Sequence, residues 1–218
     1  EYYLSEKEIH WIETWEDFLR NVNVNTVLPG HPIWADSFRG DEPIDDLPDW
    51  KQDFIRKNRK LYADNREFID GWLERWGVLE VDGEGERKYP VSRTKYEWQA
   101  GSESRSNWEN LLQFRPSGIR VKRPNYFPAL VAMAQIPVVG RLRRHITPKE
   151  CARIQDFDVD GLRGAPFVLA ESDAQSYKQL GNAVNVNMVR MIQERIDMYL
   201  SGVADFPARS AQATLDSY

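Results

Sequence analysis

Cysteine is nearly absent from this chain of 218 residues, where Cys151 stands alone. A single thiol excludes any disulfide within the chain and any cysteine-based zinc site, and three scattered histidines give no metal-ligand spacing. Long apolar runs are missing too: no stretch approaches the roughly 18 to 20 uncharged residues that a membrane-spanning helix needs. The opening residues, Glu1-Tyr2-Tyr3-Leu4, lack the basic-then-apolar layout of a secretory signal, so the expected setting is intracellular. A start on Glu1 rather than Met is what a piece of a longer polypeptide would show. No glycine-rich phosphate loop is present either. Gly83-Glu84-Gly85 has Lys88 where a third glycine should fall, in acidic surroundings, and reads as a turn.

What the chain does have is apolar and aromatic content, 41% and 12%, enough for one sizeable core or two small lobes. Its charge is unevenly placed. Residues 1–86 carry 21 acidic and 10 basic side chains, residues 87–153 carry 4 and 14, and residues 154–218 carry 9 and 5. The net −5 therefore hides a basic middle of +10. Polyanions bind through local lysine and arginine density, so that middle is a nucleic-acid signal, set against the plainer reading of a solvated charged face.

The pattern along the chain predicts an α+β fold. Ser5-Glu6-Lys7-Glu8 has capping-box spacing, and Trp11, Ile12, Trp15, Phe18 and Leu19 follow at helical intervals. Residues 23–48, with Pro29, Pro32, Pro43 and Pro48, read as an irregular connection anchored by Ile33-Trp34. Trp50 to Trp76 predicts one long helix or two abutting ones with a break near Asp64-Asn65, their aromatics buried. From Tyr89 to Gly140 short β-type runs take over, notably Ile119-Arg120-Val121 and Ala129-Leu130-Val131-Ala132. Thr147-Pro148-Lys149-Glu150 opens a helix expected to reach about Phe157. A final helix is expected from Asn182 to Asn185 onward, with Val184, Met188, Met191, Ile192 and Ile196 on its apolar side, ending before Gly202. The division that follows is 1–88 helical, 89–145 loop-rich β, 146–202 helical, and a loose tail at 203–218.

Two segments carry a resemblance. Arg144-His145-Ile146-Thr147-Pro148-Lys149-Glu150-Cys151-Ala152-Arg153-Ile154-Gln155-Asp156-Phe157 is similar to the penultimate motif of the DNA (cytosine-5) methyltransferases, Arg-x-Leu-Thr-x-x-Glu-x-x-Arg-Leu-Gln-Gly-Phe-Pro. Asp156 and Asp158 depart from that pattern's glycine and proline. Tyr177-Lys178-Gln179-Leu180-Gly181-Asn182-Ala183-Val184-Asn185-Val186 resembles the family's final motif, Gly-Asn-Ser-Val and alternating apolar residues, with Ala183 for serine. The segment Phe114 to Ala132 is similar to the end of the target-recognition region in a bacterial, restriction-modification subgroup, and residues 1–80 resemble a helical insertion of the same subgroup.

The resemblance implies that Gly181, Asn182, Ala183 and Val184 touch S-adenosylmethionine as part of a catalytic lobe. A helix start there would favour the cofactor's anionic group. It also implies that Arg115, Ser117, Gly118, Arg120, Lys122 and Arg123 face double-stranded DNA, with Lys95 and Arg105 as further candidates. In the family a cysteine preceded by proline attacks carbon 6 of a flipped cytosine, a glutamate assists, and the methyl group moves to carbon 5. None of that apparatus is legible here. Cys151 follows Glu150 inside an amphipathic helix and reads as a packing residue, Glu109-Asn110 is a chance echo of the glutamate motif, and no catalytic residue or metal ligand is assigned. The expectation is a DNA-recognition half whose nucleophile and most of whose cofactor site come from an N-terminal catalytic half. The alternative is a non-catalytic DNA-binding or regulatory protein of methyltransferase descent.

Overall fold

Ser5 starts the first helix as the spacing predicts. Its hydroxyl accepts from the Glu8 N–H while the Glu8 carboxylate accepts from the Ser5 N–H at 2.9 Å, closing the capping box from which α1 (Glu6–Asn21) runs. The computed structural model describes residues 2–23, 28, 30–130 and 135–202. α1 buries Ile12, Trp15, Phe18 and Leu19. The predicted break at Asn65 separates α2 (Asp49–Asp64) from α3 (Arg66–Trp76), which stops at Gly77 in the left-handed conformation that glycine takes without strain. Trp15 and Trp72 are fully buried; Trp50, expected in the core, is 59% exposed and lies edge-on against Phe54.

The connection before α2 is irregular except for β1 (Ile33–Trp34), whose Ile33 is fully buried. Residues 24–27 and 29 of that stretch, Val131 and Ala132 of the second β-type run, and the tail at 203–218 lie outside the described residues, and Ala129-Leu130 is not in a strand. Gly83 to Gly85 forms the expected turn, bridged by Val81 and Arg87. The remaining strands are β2 (Lys95–Gln99), β3 (Leu111–Arg115), β4 (Gly118–Lys122), β5 (Val138–Val139) and β6 (Arg144–His145). They form one mixed sheet in the order β1-β2-β4-β3-β5-β6, in which only β2 and β4 run parallel. The fold is therefore α+β.

Period-two alternation decides which side of the sheet is covered. Tyr96 and Trp98 of β2, Leu112 of β3, and Ile119 and Val121 of β4 enter one core with the helices. Trp15 stacks on Tyr96 at 4.8 Å between ring centroids and packs against Trp72 at 5.1 Å. Each such fully buried aromatic or aliphatic side chain contributes roughly 1.5–3 kcal/mol, so these contacts bind the helices and the sheet into one unit. The alternate residues, among them Arg115, Arg120 and Lys122, fall on the opposite face.

A smaller core follows. Ile146, Cys151, Ala152 and Leu180 pack with Phe157, Phe167 and Tyr177 around α4 (Pro148–Ile154) and α5 (Asp173–Asn182). α4 is shorter than predicted: it ends at Ile154, and Asp156 takes a left-handed φ of 62°. Aspartate tolerates that conformation better than most residues, so it can stand where the family pattern has glycine, and its carboxylate meets Arg163 at 2.9 Å. The family's proline is replaced by Asp158, whose carboxylate accepts from the Leu162 and Arg163 N–H groups and fixes the loop in another way. α6 (Val186–Leu200) begins beyond Asn185, whose side chain accepts from the Met188 N–H, and it ends before Gly202 as expected. Among the described residues no helix is long and apolar enough to cross a membrane.

Candidate functional site

The β3–β4 hairpin brings the basic residues together. Its turn is the exposed pair Pro116-Ser117, closed by the register Arg115 to Gly118. Gly118 is buried with φ 135°, and a Cβ there would lie 2.8 Å from the Lys95 carbonyl oxygen. The resemblance implies that Gly118 faces DNA; in the structure it lets β4 start hard against β2.

The predicted cations differ in how free they are. Arg120 is held by Glu97 of the neighbouring strand at 2.7 Å. Arg123 donates to the Ala100 carbonyl at 2.9 Å and lies 3.8 Å from Glu103. Arg115 and Lys122 have no carboxylate partner among the described residues. Arg115 donates to Gln135 at 3.3 Å and keeps a buried Nη1 without an acceptor, while the Lys122 ammonium sits 5.4 Å from the Tyr126 ring centre. Lys95 lies over Trp34 at 5.5 Å.

Arg93 was missed by sequence reasoning. Its guanidinium lies against both Trp11 at 5.1 Å and Phe114 at 4.7 Å, and one nitrogen donates to the Arg115 carbonyl at 3.2 Å. Burial pushes its pKa down, as expected for a cation moved out of water. Nothing local in the sequence marks it, because Trp11 and Phe114 come from distant segments.

The two motif segments meet in space. The Gln155 amide donates to the Leu180 carbonyl at 2.7 Å, the Val186 N–H to the Gln155 carbonyl at 2.9 Å, the Asn185 amide to the Ile154 carbonyl at 3.0 Å, and the Tyr177 hydroxyl to the Ile146 carbonyl at 2.6 Å. One expectation fails here. Gly181 and Asn182 form the last turn of α5, with Ala183 as its C-cap, so they present a helix end rather than the anion-favouring start. The nearest start belongs to α6, where Asn185 and the Gln155 carbonyl already accept from the Met188 and Val186 N–H groups.

The penultimate segment works as a brace. Arg144 grips Glu150 with two bonds of 2.9 and 2.7 Å, and Glu150 also accepts from the N–H and hydroxyl of Thr147, so its carboxyl is held down at about 2. Arg153 and Lys149 together hold Asp160, each at 2.9 Å. Cys151 is fully buried and its thiol is pushed up to about 12, the reverse of what an attacking thiolate needs. No cluster of three metal-ligating side chains occurs among the described residues.

Beyond the bonds at its start, α6 has no buried residue. Met188, Met191, Ile192 and Ile196, spaced along one side, are 57, 58, 54 and 44% exposed.

These features define an α+β chain whose recognisable segments are braced together and lead into an uncovered terminal helix. Residues 36–198 match the family model described as C-5 cytosine-specific DNA methylase, a span that takes in the hairpin and both motif segments. The chain belongs to that family. It is 36% identical to the Type II methyltransferase M.AluI of Cellulosimicrobium cellulans, with 87% of this chain and 43% of that protein aligned. Shorter matches join it to the Type II methyltransferases M.NlaX of Neisseria lactamica, 42% identical over 30% of this chain and 19% of that protein, and M.BanI of Aneurinibacillus aneurinilyticus, 41% identical over 30% and 14%. The chain thus spans less than half the length of the curated relatives named here. No solved structure matches it.

Proposed function

We propose that this chain is the DNA-reading half of a DNA (cytosine-5) methyltransferase of the restriction-modification type. The reaction is transfer of a methyl group from S-adenosylmethionine to C5 of cytosine in a specific duplex sequence, and a separate N-terminal part supplies the nucleophile and most of the cofactor site. The observation that carries this reading is α6: an amphipathic helix at the end of the family's final motif whose apolar side has no residue buried. Apolar surface of that kind marks a docking face.

In this reading residues 1–88 buttress the sheet, 89–145 read DNA, and 146–202 close the catalytic lobe. Arg115, Lys122 and the Ser117 turn meet the phosphate backbone, and Arg120 and Arg123 approach the bases once DNA competes for their carboxylate partners. Gly181, Asn182, Ala183 and Val184 carry no charge, so they would border the cofactor rather than pair with its charged groups. S-adenosylmethionine supplies the methyl group when bound. The chain's own contribution is to hold the duplex and to fix the lobe boundary through the Gln155–Leu180 bond.

The test is complementation. The chain is mixed with the N-terminal half of a family methyltransferase that carries the Pro-Cys motif, and transfer of labelled methyl to DNA is measured. Activity is expected only in the mixture; failure of every complementing half to restore it would overturn the reading.

A further inference from the structure

β2 and β4 run parallel and end level with one another, Gln99 beside Lys122. The segments leaving their carboxyl ends therefore start from the same end of the sheet. They border an open cleft of about 640 Å³, lined also by Leu28 and Gly30, whose wall includes Trp98, Gly101, Arg123, Asn125 and Tyr126. That volume is within the roughly 300–1,000 Å³ of small-ligand sites.

We propose that this cleft holds one nucleobase of the bound DNA swung out of the helical stack, with Tyr126 as its stacking surface and Asn125 as its reader. The inference rests on the DNA-reading function above. Its walls are built to keep a shape. The Trp98 indole N–H donates to the Gly101 carbonyl at 2.8 Å, which fixes the ring as one side. Gly101 has φ 73°, and a Cβ there would lie 2.1 Å from Arg123 Nη2, so only glycine lets the guanidinium lie across the cleft wall.

The chemistry of the lining selects a base over a phosphate. The one guanidinium of the lining donates to the Ala100 carbonyl and lies 3.8 Å from Glu103. The cleft offers besides an exposed aromatic ring and an amide. Tyr126 is 51% exposed, with the Lys122 ammonium 5.4 Å from its ring centre, and the Asn125 side chain hydrogen-bonds to none of the described residues. A free amide both donates and accepts, the pairing that matches adenine's N6 and N7 edge, and every base has a face on which a tyrosine can stack. Lys122, at the rim, continues the cation-bearing face of β4 to the mouth of the cleft.

The experiment uses the whole chain with its complementing half and duplexes carrying 5-iodouracil at successive positions of a methylated site. Irradiation should crosslink one position to Tyr126. Y126A should weaken binding roughly 5- to 150-fold, the range for loss of one stacked base, and Y126F should restore it. N125A should erase base preference at the crosslinked position while keeping non-specific binding. Both side chains are exposed, so the variants should melt like the parent chain. Binding, crosslinks and base preference unaltered by Y126A and N125A would overturn the cleft alone; failure of the parent complex to bind DNA would overturn the cleft and the proposed function together.

Discussion

Glu150 offers the sharpest test of how the motif segments are held. Replacing it by alanine removes two things together: the acceptor that completes the Thr147 capping box, and both bonds to Arg144. A cap is worth about 1 kcal/mol. The ion pair, with side chains 19% and 37% exposed, adds about 1 kcal/mol after screening by solvent. The expected loss is about 2 kcal/mol, or a fall in melting temperature of about 4–8 °C for a chain of this size. The charge gives the loss a pH signature. Arg144 holds the Glu150 carboxyl at about 2 against an ordinary 4.5, so the ion pair stabilises fully above pH 4.5 and its contribution drains away as pH falls towards 2. E150Q keeps an acceptor for the cap but no charge, and its gap from the parent should be smaller than that of E150A at pH 7 and should close between pH 4.5 and 2. Thermal melts followed by circular dichroism at several pH values measure this. Equal melting of E150A and the parent at pH 7, or an E150Q gap that persists at pH 2, would refute the reasoning.

Three further outcomes are expected. Q155L leaves the Leu180 carbonyl without its buried donor and should cost about 1–3 kcal/mol, read as a lower urea midpoint, while Q155E should not rescue it. G118A meets both a φ of 135° and the Lys95 carbonyl oxygen, and should destabilise by about 3 kcal/mol, whereas G83A, in open space, should change the melt little. E97Q releases Arg120 and removes a negative charge from the sheet face, so DNA should bind several-fold more tightly at low salt; weaker binding in a fluorescence titration would place Arg120 away from DNA.

Local chemistry was the legible part of the sequence. Ser5 and Thr147 cap where their spacing says, because a capping box is closed within four residues and needs no tertiary help. The break at Asn65 and the alternation of Ile119-Arg120-Val121 are also local patterns. What could not be read depends on distant neighbours. β1 is two residues long and exists through pairing with β2, some sixty residues on. α5 lacks a strong apolar stripe and is held by Leu180 and Tyr177 against α4, so the Gly-Asn segment read as a helix start is a helix end. Arg120 and Arg123 show in sequence as basic density; their pairing with Glu97 and Glu103 arises from strand register and loop closure. Cys151 was readable as a packing residue from its place in an amphipathic helix, and its burial agrees.

The central claim is that the open side of α6 seats on a catalytic half. The direct measurement is methyl transfer by mixed halves, comparing the parent chain with M188D/I192D. Both positions are more than half exposed, so the variant should melt and bind DNA as the parent does. The account predicts restored transfer with the parent chain and at least a tenfold loss with the variant. Equal activity of the two would show that this face is not where the halves join.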